Sequence, residues 1–288
     1  RVEFAEPSDA SGELVYKGVV YNEMKGAMSS PLSALHQSLH SKLFPTVTYH
    51  FNSGGDPADI PDLSYEDLKA FHARHYHPSN AIFMTYGDLP ASHHQQQFDS
   101  LALNRFEFQP LDLAVPDERR YATPITATDQ FAVDDEDVSA KTYVMLAWLL
   151  GLSTEPVEIL ECHLLTGVLL GNSASPLRRA LETSSLGSAP APICGLDDST
   201  REASFLCGIE GSEAEHADAV EALILDVLRD VVENGVDQAQ VESELHQLEL
   251  SQREVGGDSF PYGLQLMVNA LTPAIHGGDV VAALNIEP

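Results

Sequence analysis

Helical spacing singles out Glu23 among the residues able to do chemistry. Tyr16, Val19, Val20, Glu23 and Ala27 recur at i, i+3, i+4, i+7 and i+11, so one carboxylate shares an otherwise apolar helix face. Burying a carboxylate costs on the order of several kcal/mol unless a cation or hydrogen-bond donors meet it. Two arrangements satisfy that requirement. One is a salt bridge, with Lys17, Lys25 or an arginine from elsewhere; the other is metal ligation. On spacing alone the salt bridge is favoured.

The histidines offer further possibilities. His36 and His40 stand at i, i+4, the spacing that lets two imidazoles reach one zinc ion. A hydrolytic zinc helix also needs a carboxylate between them to take a proton from bound water, and Gln37, Ser38 and Leu39 supply none. They read as surface histidines on an amphipathic helix. His72, His75 and His77 cluster at a helix end, where the dipole favours imidazolium. His93 and His94 open the next helix, and His246–Leu250 (HQLEL) places Leu250 where a second metal-binding histidine would stand. All of these read as structural or solvated. Gly171–Ser175 (GNSAS) begins like a nucleophile elbow but has serine in place of the last glycine, which argues against a serine hydrolase. The sequence has neither a P-loop nor a dinucleotide-binding glycine pattern. Cys162, Cys194 and Cys207 lack CxxC spacing and sit among apolar or small neighbours, so packed thiols are expected in place of disulfides or a thiolate zinc site.

The elements that would position these residues can be read from periodicity and punctuation. Helices are expected over Tyr16–Ala27 and Leu32–Leu43, the second broken by Pro45. Ser64 and Asp67 form a capping box for a helix with apolar Leu68 and Phe71, ended by Pro78. Ala81–Asp88 reads as a strand and Ser92–Asn104 as a helix. Proline-rich Gln109–Thr128 carries no period and reads as a linker. Beyond it come a strand at Lys141–Leu150, a helix at Pro156–Leu170 and a helix at Ser175–Glu182 with Pro176 in its first turn. A strand at Ala203–Gly211 and helices at Glu213–Glu233 and Asp237–Glu254 come next, with Asn234-Gly235 between those helices. Helices outnumber strands and their order is mixed, which favours an α+β architecture over a doubly wound parallel sheet.

The chain of 288 residues carries 15 basic and 44 acidic residues, a formal charge of −29. That surface repels phosphate backbones and anionic lipid, so neither nucleic acid nor membrane is an expected partner. It attracts cationic peptides, and a soluble protein from a salty or crowded setting explains the same charge without any ligand. The longest apolar run, near Val144–Leu152, is too short to span a bilayer. The chain opens without methionine or a signal-peptide pattern and stops just after a helix-like run, so it is expected to be an internal segment of a longer polypeptide.

GVVYNEMKG (Gly18–Gly26), SGGDP with the adjoining IPDL, and HYHPSNAIFMTYGD together resemble the presequence-protease branch of the pitrilysin/insulinase (M16) zinc peptidases. NSASPLRRALE, GIEG, HQLELSQRE, FPYGLQLM and HGGD extend the resemblance, in the family's order, across most of Leu14–Ala283. The resemblance implies an α+β fold with two M16-type (LuxS/metallohydrolase-like) units, each a mostly antiparallel sheet packed with helices and each incomplete or trimmed. It also implies that residues 1–110 correspond to the later part of the catalytic domain, 111–128 to a linker, and 129–288 to most of the next, non-catalytic domain.

The family uses an inverted His-x-x-Glu-His motif whose histidines bind zinc and whose glutamate activates water. A later glutamate is the third ligand, and by resemblance Glu23 occupies its place. No His-x-x-Glu-His occurs in this sequence, so no catalytic residue is assigned and the motif is expected upstream. The resemblance thus reverses the preference at Glu23 from salt bridge to metal ligand. The implied function is part of a zinc metalloendopeptidase that degrades short unstructured peptides in a clamshell chamber. Its partners would be peptide substrates and the remaining segments of the same protein. The implied setting is a reducing compartment, cytoplasmic in a bacterium or an organelle matrix in a eukaryote. With one carboxylate in place of a site, the chain alone is expected to bind zinc weakly and cleave nothing. The alternatives are a non-catalytic M16-like scaffold or assembly subunit, and a peptide-binding module.

Overall fold

Cross-strand pairing of apolar residues builds the best-packed part of the protein. A computed structural model describes residues 2–133, 135–253 and 261–284. These form two compact units: Arg1–Met24, Gly54–Val115 and Val255–Asn285 make the first, and Lys25–Ser53, Pro116–Glu254 and Ile286–Pro288 the second. The division is interleaved along the chain, whereas the sequence suggested consecutive blocks. One crossing lies next to Pro116, inside the stretch read as a linker.

In the first unit, β1 (Val2–Phe4) and β2 (Leu14–Tyr16) form an antiparallel hairpin with Glu3 opposite Val15. Helix α1 (Val19–Ala27) comes next, and the division between the units falls within it, after Met24. The helix expected from Tyr16 starts three residues later, because Tyr16 is paired with Val2 in the hairpin. Helix α3 (Tyr65–His75) has the expected capping box: Asp67 N donates to Ser64 Oγ at 3.1 Å and Ser64 N to Asp67 Oδ2 at 3.3 Å. Ala81–Asp88, expected as a strand, contains no ladder among the described residues. Its alternating apolar residues suit a strand, but a strand exists only where a second chain segment supplies the hydrogen bonds. Helices α4 (Ala91–Leu101), α9 (Tyr262–His276) and α10 (Val280–Leu284) complete the unit, and the Tyr86 ring meets Tyr262 edge-on at 6.4 Å.

The second unit contains α2 (Pro31–Leu43) and an antiparallel sheet in which β6 (Glu202–Ser212) is central. Strand β3 (Thr142–Leu152) lies on one side of it; β4 (Ala189–Pro190) and β5 (Gly195–Asp197) pair with successive parts of its other edge. The register sets Val144 against Ile209, Leu146 against Cys207 and Trp148 against Phe205. With a side-chain period of two, those residues share one face. Helices α5 (Pro156–Leu170), α6 (Pro176–Thr183) and α7 (Ala217–Asn234) supply Leu169, Leu170, Leu177, Leu181, Val220 and Ile224 to the same core. Each such side chain, fully buried, contributes about 1.5–3 kcal/mol. Gly235, at φ +74°, ends α7, and Asp237 receives the first free amides of α8 (Gln238–Arg253). Among the described residues, 106–141 lack regular structure, consistent with the weak periodicity there.

Candidate functional site

Glu23 lies in the middle of α1, whose nine residues are all at least partly exposed. The expectation of an acid on a buried apolar face is corrected: Glu23 is exposed, and its neighbours Val19 and Val20 are 85% and 55% exposed. The 3.6-residue period does define an apolar stripe, but within the described residues nothing covers it. Neither candidate lysine pairs with Glu23. Lys17 instead approaches Glu3 at 4.0 Å and donates to the Phe4 carbonyl at 3.2 Å.

A catalytic zinc site takes three protein donors, and Glu23 offers one carboxylate. Among the described residues, the group of three ligand-type side chains whose donor atoms converge is elsewhere. The residues around Glu23 therefore do not by themselves fit a zinc ion.

That convergent group is His36, His40 and Asp197, whose donor atoms all lie within 4.8 Å of one another. Helical geometry puts the two histidines on one face of α2, with ring centroids 4.1 Å apart and planes inclined by 31°. Asp197 ends β5, where pairing with Ser204 on β6 fixes its backbone. Its Oδ1 accepts hydrogen bonds from Ser199 N at 3.0 Å and Ser199 Oγ at 2.6 Å, while Oδ2 faces His40 Nε2 at 3.5 Å. The reading of both histidines as surface residues is corrected for His40, whose side chain is only 12% exposed and packs against Phe44. The Nε2 atom of His40 is buried without a hydrogen-bond partner among the described residues. The facing His40 imidazole and the two Ser199 donors hold the Asp197 carboxyl well below the usual carboxylate range, outweighing burial. Partial desolvation of the otherwise exposed ring, reinforced by neighbouring His40 and opposed by Asp197, pushes the His36 imidazole below its ordinary value.

A second polar assembly ties the end of α2 to β6. Glu118 is 5% exposed and accepts from Thr46 N at 2.9 Å, Thr46 Oγ1 at 2.5 Å, Val47 N at 3.2 Å and Arg119 N at 2.7 Å. Its own amide donates to Glu202 Oε2 at 2.6 Å, and Arg120 reaches Glu202 Oε1 at 2.7 Å. Burial pushes the Glu118 carboxyl up, but the hydrogen bonds from Thr46, Arg119 and Val47 prevail and lower it. Sequence reading missed both Glu118 and Asp197. Nothing in their local spacing marks them, because each is defined by partners far along the chain.

The other chemical candidates have local roles. Phe71 stacks on His75 and His72 on Tyr76, while His77 Nδ1 accepts from Ser79 N at 3.2 Å. In GNSAS the serine at the nucleophile position, Ser173, is exposed, whereas Ser175, in place of the last glycine, is fully buried and accepts from Asn172 N at 3.2 Å and Gln240 Nε2 at 3.1 Å. The three cysteines are free thiols, with Cys207 buried in the core. No helix among the described residues is long and apolar enough to cross a membrane.

Comparison with known proteins gives the class. The family model for the peptidase M16 inactive domain matches residues 62–248, and the chain belongs to the M16 peptidase family. It is 37% identical over 291 residues to the mitochondrial presequence protease of Xenopus tropicalis, and 36% identical over 280 residues to presequence protease 1, chloroplastic/mitochondrial, of Arabidopsis thaliana. These alignments cover 99% and 95% of this chain but 28% and 26% of those proteins, so the chain spans little more than a quarter of their length. The fold matches that of a peptidase M16 inactive domain from Pseudomonas fluorescens at a TM-score of 0.64, 18% identity, and coverage of 93% of this chain and 61% of that one. A protease from Helicobacter pylori gives a TM-score of 0.65 at 18% identity, covering 93% of this chain and 66% of that one.

Proposed function

We propose that this chain is part of a zinc metalloendopeptidase that degrades short unstructured peptides inside a clamshell chamber. Residues 1–110 belong to its catalytic domain, 111–128 form a linker, and 129–288 make up most of the next, non-catalytic domain. The observation that carries this reading is the 37% identity to a presequence protease along 99% of the chain. In this reading Glu23 donates one anionic oxygen to zinc, and two histidines from outside the sequence supply the remaining protein donors. The exposed Glu23 carboxylate, with no hydrogen bond or ion pair among the described residues, suits a donor whose partners come from other segments. Glu23 would hold the metal through one carboxylate oxygen, and a zinc ion so held would supply the Lewis acidity for water activation and carbonyl polarisation. The histidine motif lies outside this sequence, so this chain's own part in that chemistry is confined to holding the metal through Glu23. The acidic surface favours cationic peptide segments as substrates.

A non-catalytic scaffold is the second reading, and the match of residues 62–248 to an inactive-domain model favours it for that stretch. The two are separated by assaying the isolated 288-residue chain beside the full-length protein against an unstructured cationic peptide. The peptidase reading expects turnover by the full-length protein alone. Turnover by the isolated chain, or none by the full-length protein, contradicts it.

A further inference from the structure

We propose that His36, His40 and Asp197 form a binding site for a divalent transition-metal ion of the zinc class. Two imidazole nitrogens and one carboxylate oxygen are a donor set that suits zinc, cobalt or nickel and disfavours calcium or magnesium. In a tetrahedral zinc site with bonds near 2.1 Å, adjacent donor atoms stand about 3.4 Å apart. His40 Nε2 and Asp197 Oδ2 already meet that spacing at 3.5 Å. The other separations, all within 4.8 Å, involve His36, which is exposed and makes no hydrogen bond among the described residues. Rotation of that one ring closes the set and leaves a position for water.

A separate observation points to a ligand. His40 Nε2 is buried and makes no hydrogen bond among the described residues, and its contact with Asp197 Oδ2 at 3.5 Å has the spacing that two ligands of one metal ion take. A cation would use that nitrogen's lone pair. The carboxylate is prepared for the same task, since Ser199 fixes Oδ1 and leaves Oδ2 directed at His40. The Phe44 ring packed against His40 limits its rotation, as a positioned ligand requires. The weak zinc binding expected of this chain considered Glu23 alone; the triad revises that expectation for the chain as a whole.

The test is calorimetric titration of the metal-stripped 288-residue chain with zinc, paired with visible absorption on adding cobalt. The expected result is one saturable equivalent, outcompeting millimolar magnesium, with the intense cobalt bands of four-coordination. His36→Gln and Asp197→Asn should each weaken zinc binding by at least about 10-fold. His36 is exposed, so its variant keeps the fold, which circular dichroism verifies. Glu23→Gln should leave this equivalent unchanged. Absence of a saturable equivalent overturns the proposal, as does equal affinity in the folded His36→Gln variant. Loss of the equivalent in Glu23→Gln assigns the binding to Glu23 and likewise overturns it. None of these outcomes depends on peptide cleavage, so the proposal and the peptidase reading fail independently.

Discussion

Glu118 presents both carboxylate oxygens to donors: Oε1 to Thr46 Oγ1 and Arg119 N, Oε2 to Thr46 N and Val47 N. An amide cannot reproduce this, because its nitrogen end would face N–H or O–H groups that it cannot accept from. Glu118→Gln should therefore cost about 2–4 kcal/mol, read as a lower urea midpoint. The pH dependence comes from the lowered carboxyl value. The unfolded chain has the ordinary value of 4.5 and the folded chain a lower one, so the stabilisation is complete above 4.5. It fades as pH falls through the folded value, where the folded state must take up a proton. The stability gap between wild type and Glu118→Gln should narrow below pH 4.5; a gap independent of pH contradicts the role given to the charge. A single sequence conceals such a residue. Glu118 sits in a stretch without period, and its partners Thr46 and Glu202 lie 72 and 84 positions away. His36 and His40 were visible as a pair because a helix fixes their spacing, but Asp197 comes from a strand edge that periodicity cannot place beside them.

Elements were legible where their own hydrogen bonds define them. Helix α5 runs over Pro156–Leu170 as expected, and the Ser64–Asp67 box opens α3. Strands β3 and β6 were legible because they are long and apolar, whereas Ala81–Asp88 has similar residues and no ladder among the described residues. The β3–β6 pair also makes a specific demand on Gly208. A Cβ there would run into the Val144 carbonyl and Met145 of the facing strand. Both obstacles include strand backbone, which can yield only by disturbing the ladder. Gly208→Ala should destabilise the second unit by about 1–3 kcal/mol, the range for overpacking a tight interior. Thermal unfolding monitored by circular dichroism should show a lower midpoint. An unchanged midpoint would mean that the two strands separate at little cost.

For the molecule as a whole, the order of motifs from Gly18 to the end of the described chain carried the family, and the match over residues 62–248 agrees with it. The spatial arrangement was less legible: the two units interleave, because contacts that build a unit form between segments distant in sequence. The exposed apolar stripe of α1 has a related cause, since a helix period announces a face without saying what covers it. The peptidase reading turns on Glu23, exposed and without a hydrogen bond or ion pair among the described residues, acting as a zinc ligand in the parent protein. Glu23→Gln in the full-length protein addresses this, made in a His36→Gln background so that the triad adds no metal of its own. Zinc retained after dialysis and cleavage of an unstructured peptide are then measured together. Zinc affinity and cleavage should both fall by at least about 100-fold with the fold intact. Zinc retention and cleavage equal to those of the His36→Gln parent would refute the assignment.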